Sequence, residues 1–464
     1  MPFPFPFTSF SVPEPFAIFG EWFAAQWWLW LFLALLILGV QLWKAYIQEC
    51  YKKVTNPWTI LELHFPREVK QSPHAMEQVF SQLHAIRNSA SDFEEKWWDG
   101  EVPLWFSFEA VSFGGEIHIY LFIPAVRRKH IEAAFYAAYP DIEFTEVQED
   151  YIHRLPPTAS ELYRQGYRMF GNELIFSKDP VYPIRTYLDF EAPVEEKEVD
   201  PVADLLETLT SIRPEEHLWM QILVRPKVDS FIDQFRKRGD DEINRIKERG
   251  RFARGAAGQV VIDPNTGLPV YTIPAPGEVE AMRSIGRKIG KPAFDVVIRY
   301  IYLAPQEIFS SSFGRRSIFA VMNQYATEDY NKFGHNVHAW TLAKLWYSPY
   351  IFPNRRAAAR RQWLWEKYRR REMYPESAVS TVLKIKLFHW GFRPRSYLGP
   401  GRFNLILNTE ELATVFHPPT TLVLTGPLIK RVEARKVGPP AGLPIYGEGE
   451  EPLPGIEPGI GKKE

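Results

Sequence analysis

Two short runs carry the glycine and lysine of a phosphate-binding loop. Such a loop needs Gly-Lys followed by Ser or Thr, so that backbone N–H groups cradle phosphates and the hydroxyl reaches magnesium. Ser284 to Pro292 (SIGRKIGKP) has the wrong glycine spacing and places Pro292 where the hydroxyl residue belongs. Gly455 to Glu464 (GIEPGIGKKE) places Lys463 there. Neither is read as a nucleotide site. His335 and His338 stand three apart without a third ligand to complete a metal set. His64, His74 and His84 fall on different elements, and no acid, base and nucleophile group together. No catalytic residue, metal or cofactor is therefore expected, and the chain is read as non-enzymatic. One group of charges does stand out. Arg355, Arg356, Arg360, Arg361, Lys367, Arg369, Arg370 and Arg371 crowd a helix expected over 354–372, interleaved with Trp363, Trp365 and Tyr368. That mixture suits an anionic lipid surface, a nucleic-acid backbone, or a helix that simply faces water.

A lipid surface is close at hand. Trp22 to Trp43 (WFAAQWWLWLFLALLILGVQLW) contains no charged residue, and only Gln26 and Gln41 are strongly polar. About 20 apolar residues cross a bilayer as a helix, because lipid offers no partner to an unpaired backbone group. Trp22, Trp27, Trp28 and Trp30 sit toward one end and Trp43 toward the other, as aromatic rings do at headgroup depth. Lys44, Lys52 and Lys53 follow the span. The positive-inside bias then predicts a single pass through the cytoplasmic (inner) membrane over 22–46, with the Pro/Phe tail 1–21 outside and the main body in the cytoplasm. A cleaved signal peptide would need a basic start and a small-residue site, but no Lys or Arg precedes the span and bulky residues follow it. The lone Cys50 excludes a disulfide framework and a Cys-rich zinc module. Juxtamembrane acylation is its functional reading and an inert thiol the plain one. With 55 basic against 56 acidic residues, the chain has no global attraction for nucleic acid.

The body reads as α+β with an internal repeat. Residues 59–66, 104–113 and 116–124 alternate as strands, with the Gly114–Gly115 pair suited to a tight hairpin. Amphipathic helices are expected after Ser72 and over 127–139, and a further strand over 142–147. The order βαββαβ is the ferredoxin-like arrangement, assigned here to residues 56–150. The same order is expected over 172–345, with strands at 182–191, 217–226 and 294–305 and helices over 200–212 and 315–326. The second copy carries a charged insertion, 227–292, read as a solvated helical arm or an interaction helix followed by a Gly/Pro-rich loop. A module of basic helix and C-terminal strands spans 346–438, and the Pro/Gly tail 439–464 has no structure forced on it.

The segment Leu407 to Pro419 (LNTEELATVFHPP), followed by PPAGLP at 439–444, resembles the region that precedes the ATPase core in coupling-protein-like ATPases of type IV secretion and conjugative transfer. The stretches 56–68, 182–191 and 200–226 also look like the uncharacterised membrane-associated region of such proteins. The resemblance implies a non-catalytic membrane scaffold or adaptor that docks a separate P-loop ATPase and other translocation components through Glu410, Glu411, Leu412 and Phe416, as a monomer or a homo-oligomer. The residues that would perform the ATPase reaction are not in this chain. The alternative reading is a membrane-tethered nucleic-acid-binding protein that uses the 354–372 helix.

Overall fold

A computed structural model of the protein describes residues 25–66, 69, 71–88, 90, 92–190, 200–250, 275–328, 330–337, 339–342, 352–374, 405–419 and 431–432. Trp22, His338, the tails 1–21 and 439–464, most of the 255–277 loop and the strand expected over 379–390 lie outside the described residues. The first unit comprises α1 (Trp27–Cys50), β1 (Trp58–Pro66), α2 (Pro73–Ala85), β2 (Phe106–Phe113), β3 (Glu116–Pro124), α3 (Arg128–Ala138) and β4 (Glu143–Glu146). The second comprises α4 (Ala159–Arg164), β5 (Tyr167–Phe176), α5 (Ala203–Thr210), β6 (His217–Pro226), α6 (Asp229–Gly250), α7 (Pro276–Ile289), β7 (Ala293–Pro305), α8 (Ser311–Asn323) and β8 (Phe333–His335). Then come α9 (Pro353–Arg369), β9 (Leu405–Asn408), α10 (Thr409–Val415) and β10 (Arg431–Val432).

The result is a mixed α/β protein with one N-terminal apolar helix and a largely antiparallel sheet. The main path of the sheet runs β10-β1-β3-β2-β6-β7-β5-β8, with β4 beside β1 and β9 beside β7. The two units meet where β2 pairs antiparallel with β6, from Phe106 opposite Val224 to Phe113 opposite His217. In each unit one strand is continued by a late segment: β10 follows beyond β4 along β1, and β9 beyond β5 along β7. Gly114 and Gly115 turn β2 into β3 at φ 57° and 95°. A side chain at Gly114 would meet more than backbone strain, because its Cβ would sit 2.5 Å from the Pro214 carbonyl oxygen.

Both faces of the sheet are covered. On one face Leu61, Phe108, Leu121, Ile222, Ile298 and Tyr302 pack beneath α2, α3, α5, α8 and α10. On the other Ile60, Val111, Tyr120, Trp219 and Ile301 pack beneath Tyr151, Leu162, Leu364, Trp365 and Tyr368, so α4 and α9 form the second layer. The insertion helix α6 lies on α7 through Phe235, Ile246, Ile285 and Ile289, so its apolar positions are buried and only its charged face is free to meet water.

One expected strand is corrected. Residues 182–191 contain a short 3-10 turn, Tyr187–Asp189, because their backbone groups bond sideways. The N–H of Ile184 donates to Glu411 Oε1 (2.9 Å) and that of Tyr187 to Thr414 Oγ1 (2.9 Å). The strand in that topological position is β5, which begins upstream of the expected 172 boundary.

The apolar helix is joined to the sheet by a packed collar. In α1 only Ile47 is buried, and the chain continues through a π-helical turn, Tyr51–Thr55, into β1. Tyr51 is buried against Val102 and Leu104. The Asn56 amide donates to the Tyr51 carbonyl (2.9 Å), and Trp58 Nε1 to the Lys52 carbonyl (2.8 Å). Gly100, at φ 69°, lies against Ile47 so closely that a Cβ there would be 2.6 Å from the Ile47 carbonyl carbon.

Replacing Gly114 with Ala is expected to destabilise the fold by about 1–3 kcal/mol, the usual cost of holding a non-glycine residue at a disallowed turn conformation. Denaturant unfolding of the full-length protein in detergent would measure it, and an unchanged midpoint would contradict the close packing against Pro214.

Candidate functional site

Each of the central strands carries a polar residue at the same level of the pleat. Glu62 faces Tyr120, Tyr120 faces Glu109, Glu109 faces Gln221, Gln221 faces Arg299, and Arg299 faces Glu173. Since cross-strand partners share a face, these residues form one transverse row beneath α9. Glu109, Gln221, Arg299 and Glu173 are each 0% exposed, so the row must satisfy its own charge.

It does so with close pairs. Arg299 Nε donates to Glu173 Oε1 at 2.6 Å, and Tyr374 donates its hydroxyl to Glu173 Oε2 at 2.7 Å. Glu109 accepts from Ser107 Oγ (2.6 Å), Gln221 Nε2 (2.9 Å), the Tyr151 hydroxyl (2.8 Å), and Arg371 Nε (2.7 Å) and Nη2 (2.9 Å). Arg371 also reaches Asp150, with Nη1 2.5 Å from Oδ2. It holds φ at 48°, in the left-handed region, which turns the chain past the end of α9 and aims the guanidinium down into the sheet. A second buried pair lies two pleats further along, where Asp295 Oδ2 accepts from Arg225 Nη2 (2.6 Å) and Lys227 Nζ (2.9 Å).

Protonation follows from these contacts. Burial works against the charge on Arg371, but the adjoining Glu109 and Asp150 carboxylates outweigh it and hold the guanidinium well above its ordinary value. Burial likewise opposes ionisation of Asp150 and Asp295, and their cationic partners overcome it, leaving both carboxyls below the usual range. Burial, reinforced by the Glu109 charge, raises Tyr151 and Tyr368 well above the ordinary phenol, so both remain hydroxyls. The acids and bases of the row are thus held by one another, in an arrangement suited to fixing α9 and the 371–374 segment on the sheet.

This changes the reading of the basic helix. Arg356, Arg360 and Arg371 are buried, Arg361, Lys367 and Arg369 are half-buried, and Arg355 and Arg370 are exposed. Arg360 donates to the Leu342 carbonyl (2.8 Å), and Arg369 to those of Ile152 (2.7 Å) and Leu155 (3.1 Å). Trp365 Nε1 donates to the Pro156 carbonyl at 3.0 Å. The eight basic residues expected on a lipid or nucleic-acid face therefore do not share one: Arg360, Arg369 and Arg371 turn inward and tie α9 and the residues after it down.

The expected docking residues are corrected in the same way. Glu410, Glu411, Leu412 and Phe416 are all buried, with Leu412 and Phe416 inside the main apolar core. Asn408 and Glu411 cap α10 reciprocally: Asn408 Oδ1 accepts from the Glu411 N–H (2.8 Å) and Glu411 Oε2 from the Asn408 N–H (2.9 Å). Glu411 also receives Lys288 Nζ at 3.1 Å, while Lys291 Nζ lies 2.6 Å from Glu77 and 2.8 Å from Glu410. Burial lowers Lys288 and raises Glu411, each toward neutrality. The lysines of the 284–292 run, which lies largely in α7, therefore hold α10 from within. Of the histidines, His335 lies stacked on Phe319 with ring centroids 3.9 Å apart, and Asn172 Nδ2 is 2.8 Å from its Nδ1. Among the described residues no cluster of three metal-ligating side chains occurs.

A family profile described as a domain of unknown function, DUF8128, matches residues 39–346. The chain belongs to the DUF8128 family. No curated protein matches it. The DUF8128 match takes in the end of α1 and every strand that builds the polar row, and it stops before α9. Arg371, Tyr368 and Tyr374, which close the row, and the 405–419 segment come from beyond the matched region.

Sequence reasoning passed over the row. Glu109, Glu173 and Arg299 are charged residues within largely apolar strands, and that interruption was the available signal.

Two outcomes follow. Arg371→Met should cost about 3–5 kcal/mol, because it leaves Glu109 and Asp150 as buried unpaired charges, whereas Arg355→Ala on the exposed side should change stability by less than about 0.5 kcal/mol. Equal effects in denaturant unfolding would remove Arg371 as the clamp. The second concerns pH. Burial, with the Arg87 charge in one case and the Arg315 charge in the other, lowers His84 and His335 to about 4. The unfolded chain, with histidine near ~6.5, then binds more protons than the folded one between those values. Stability should therefore be full above pH 6.5 and fall as pH drops toward 4. Melting curves of the His84→Gln/His335→Gln variant should show a smaller drop between pH 7 and 5 than the parent. An equal drop would contradict the assignment.

Proposed function

We propose that this protein is a membrane-anchored, non-catalytic scaffold whose α1 spans the inner membrane and whose sheet stands on the cytoplasmic side. Following the resemblance at 407–419, the machine it serves is a type IV secretion-like translocation system with a separate P-loop ATPase. The observation that carries the reading is the joint at Ile47, Tyr51 and Gly100. A helix long and apolar enough to cross a membrane runs into the sheet through packed, hydrogen-bonded contacts. A flexible tether would only localise the body; a packed joint sets its orientation to the bilayer, which is what a scaffold requires. Lys44, Lys52 and Lys53 support the cytoplasmic placement.

The finer fold reading is that both units are ferredoxin-like repeats. It is supported by the strand order β4-β1-β3-β2 in the first and its mirror, β6-β7-β5-β8, in the second, with α2 and α3, then α5 and α8, as the crossing helices. Because Leu412 and Phe416 are buried within the chain, the ATPase partner is to be sought on exposed surfaces. The charged, exposed outer face of α6 is one candidate.

The anchor reading is tested with Cys50, the only cysteine of the chain. A membrane-impermeant maleimide should label it in inverted inner-membrane vesicles and not in intact spheroplasts, and labelling in spheroplasts would overturn the orientation. Gentle purification from the native membrane followed by mass spectrometry should recover a P-loop ATPase with other translocation subunits. Recovery without any of them would remove the secretion assignment while leaving the anchor intact.

A further inference from the structure

The residues between α2 and β2 place aromatic rings where a soluble surface would not keep them. Phe93 is 79% and Trp98 73% exposed, yet they belong to an ordered helical turn, with Glu95–Asp99 in π-helical form. The turn is fixed against α1. Trp43 Nε1 donates to the Trp97 carbonyl at 3.0 Å, Lys44 Nζ lies 5.3 Å from the Trp97 ring centroid, and the Trp43 and Trp98 rings are 6.4 Å apart. Phe93 stacks on Trp97 at 6.1 Å, and Gly100 closes the turn onto Ile47.

The height of this cluster along α1 identifies its surroundings. From Trp27 to Tyr46 the helix rises about 30 Å at 1.5 Å per residue, the thickness of a hydrocarbon core. Trp43 is the last residue of the uncharged run and Lys44 the first charged residue after it. Rings held against Trp43 and Lys44 therefore lie at the boundary between acyl chains and headgroups, the layer that Trp favours because its ring is apolar and its N–H polar. Exposed Tyr46, its ring 6.2 Å from that of Trp43, continues the same patch. On the turn the exposed Asp92, Glu94 and Asp99 outnumber the exposed Lys96, so the contact is an interfacial aromatic one, suited to zwitterionic headgroups rather than to an anionic cluster.

We propose that the turn 92–99 is a second membrane contact, inserting Phe93 and Trp98 into the headgroup layer of the leaflet at the Lys44 end of α1. It would thereby fix the tilt of the sheet against the bilayer. The proposal rests on α1 being a membrane span.

The experiment uses the full-length protein with Cys50→Ser in phosphatidylcholine nanodiscs, carrying one new cysteine labelled with an environment-sensitive fluorophore. Trp98→Cys reports the turn, Leu35→Cys the middle of α1, and Glu116→Cys the exposed tip of the β2–β3 hairpin, about 25 Å along the strands from the membrane end at ~3.3 Å per residue. Spin-labelled lipid should quench the probes at 35 and 98, with quenching at 98 at least ~2-fold stronger than at 116, as expected for a residue at headgroup depth. Quenching at 35 with no more at 98 than at 116 would overturn the second contact and leave the span standing. Absence of quenching at 35 would overturn the span, and the contact with it.

Discussion

The antiparallel seam between β2 and β6 is the constraint from which the rest of the structure follows. Joining two units edge to edge turns two small sheets into one long one, and it removes the two edges that would otherwise present unpaired backbone groups. It also leaves a broad second face that the units' crossing helices do not reach and that α4 covers only in part. Burying that face requires chain from elsewhere, and α9 with the 371–374 segment supplies it. The seam thus dictates that residues beyond the repeated units be part of the fold.

The polar row is what makes this second layer specific. Apolar contacts such as Trp219 with Trp365 favour burial but tolerate sliding, whereas a charge can be buried at one position only, where its partner waits. Glu109 sits at the seam itself, and Arg371 reaches it from the end of α9. A shift of α9 by one turn, about 5.4 Å, would separate them and leave both charges without water. The row therefore trades some stability, relative to an apolar equivalent, for a single registry of helix on sheet. On the opposite face Lys288 with Glu411, and Lys291 between Glu77 and Glu410, perform the same service for α10.

How much of this the sequence discloses depends on whether the signal is local. The apolar helix, the β2–β3 hairpin at Gly114–Gly115, and the strand and helix order of the first unit are written in runs of neighbouring residues, and they are where expected. Residues 182–191 misled because their alternation satisfies packing against α10 without a strand partner, and the side chains that take their N–H groups lie more than two hundred positions away. β5 was missed because Gly171, Asn172 and Glu173 interrupt its apolar run for reasons that only the sheet reveals. The basic helix illustrates the same limit. Counting Arg and Lys identifies charge, but whether a guanidinium meets phosphate, water or a carbonyl inside the protein depends on long-range contacts that composition does not carry. The transverse row was legible only as isolated charges in apolar strands, and its alignment needs the register of several pairings at once.

The buried position of the 405–419 segment bears on how the two units are held together. Its backbone extends the sheet at β7, its helix α10 packs against α2, and its side chains cap the 182–190 region. It therefore touches both units at once. A displacement of this segment would therefore disturb both halves of the sheet. In such an arrangement the segment need not be exposed to matter. What holds it there is apolar core together with ion pairs such as Lys288 with Glu411, which form at one registry of α10 on the sheet.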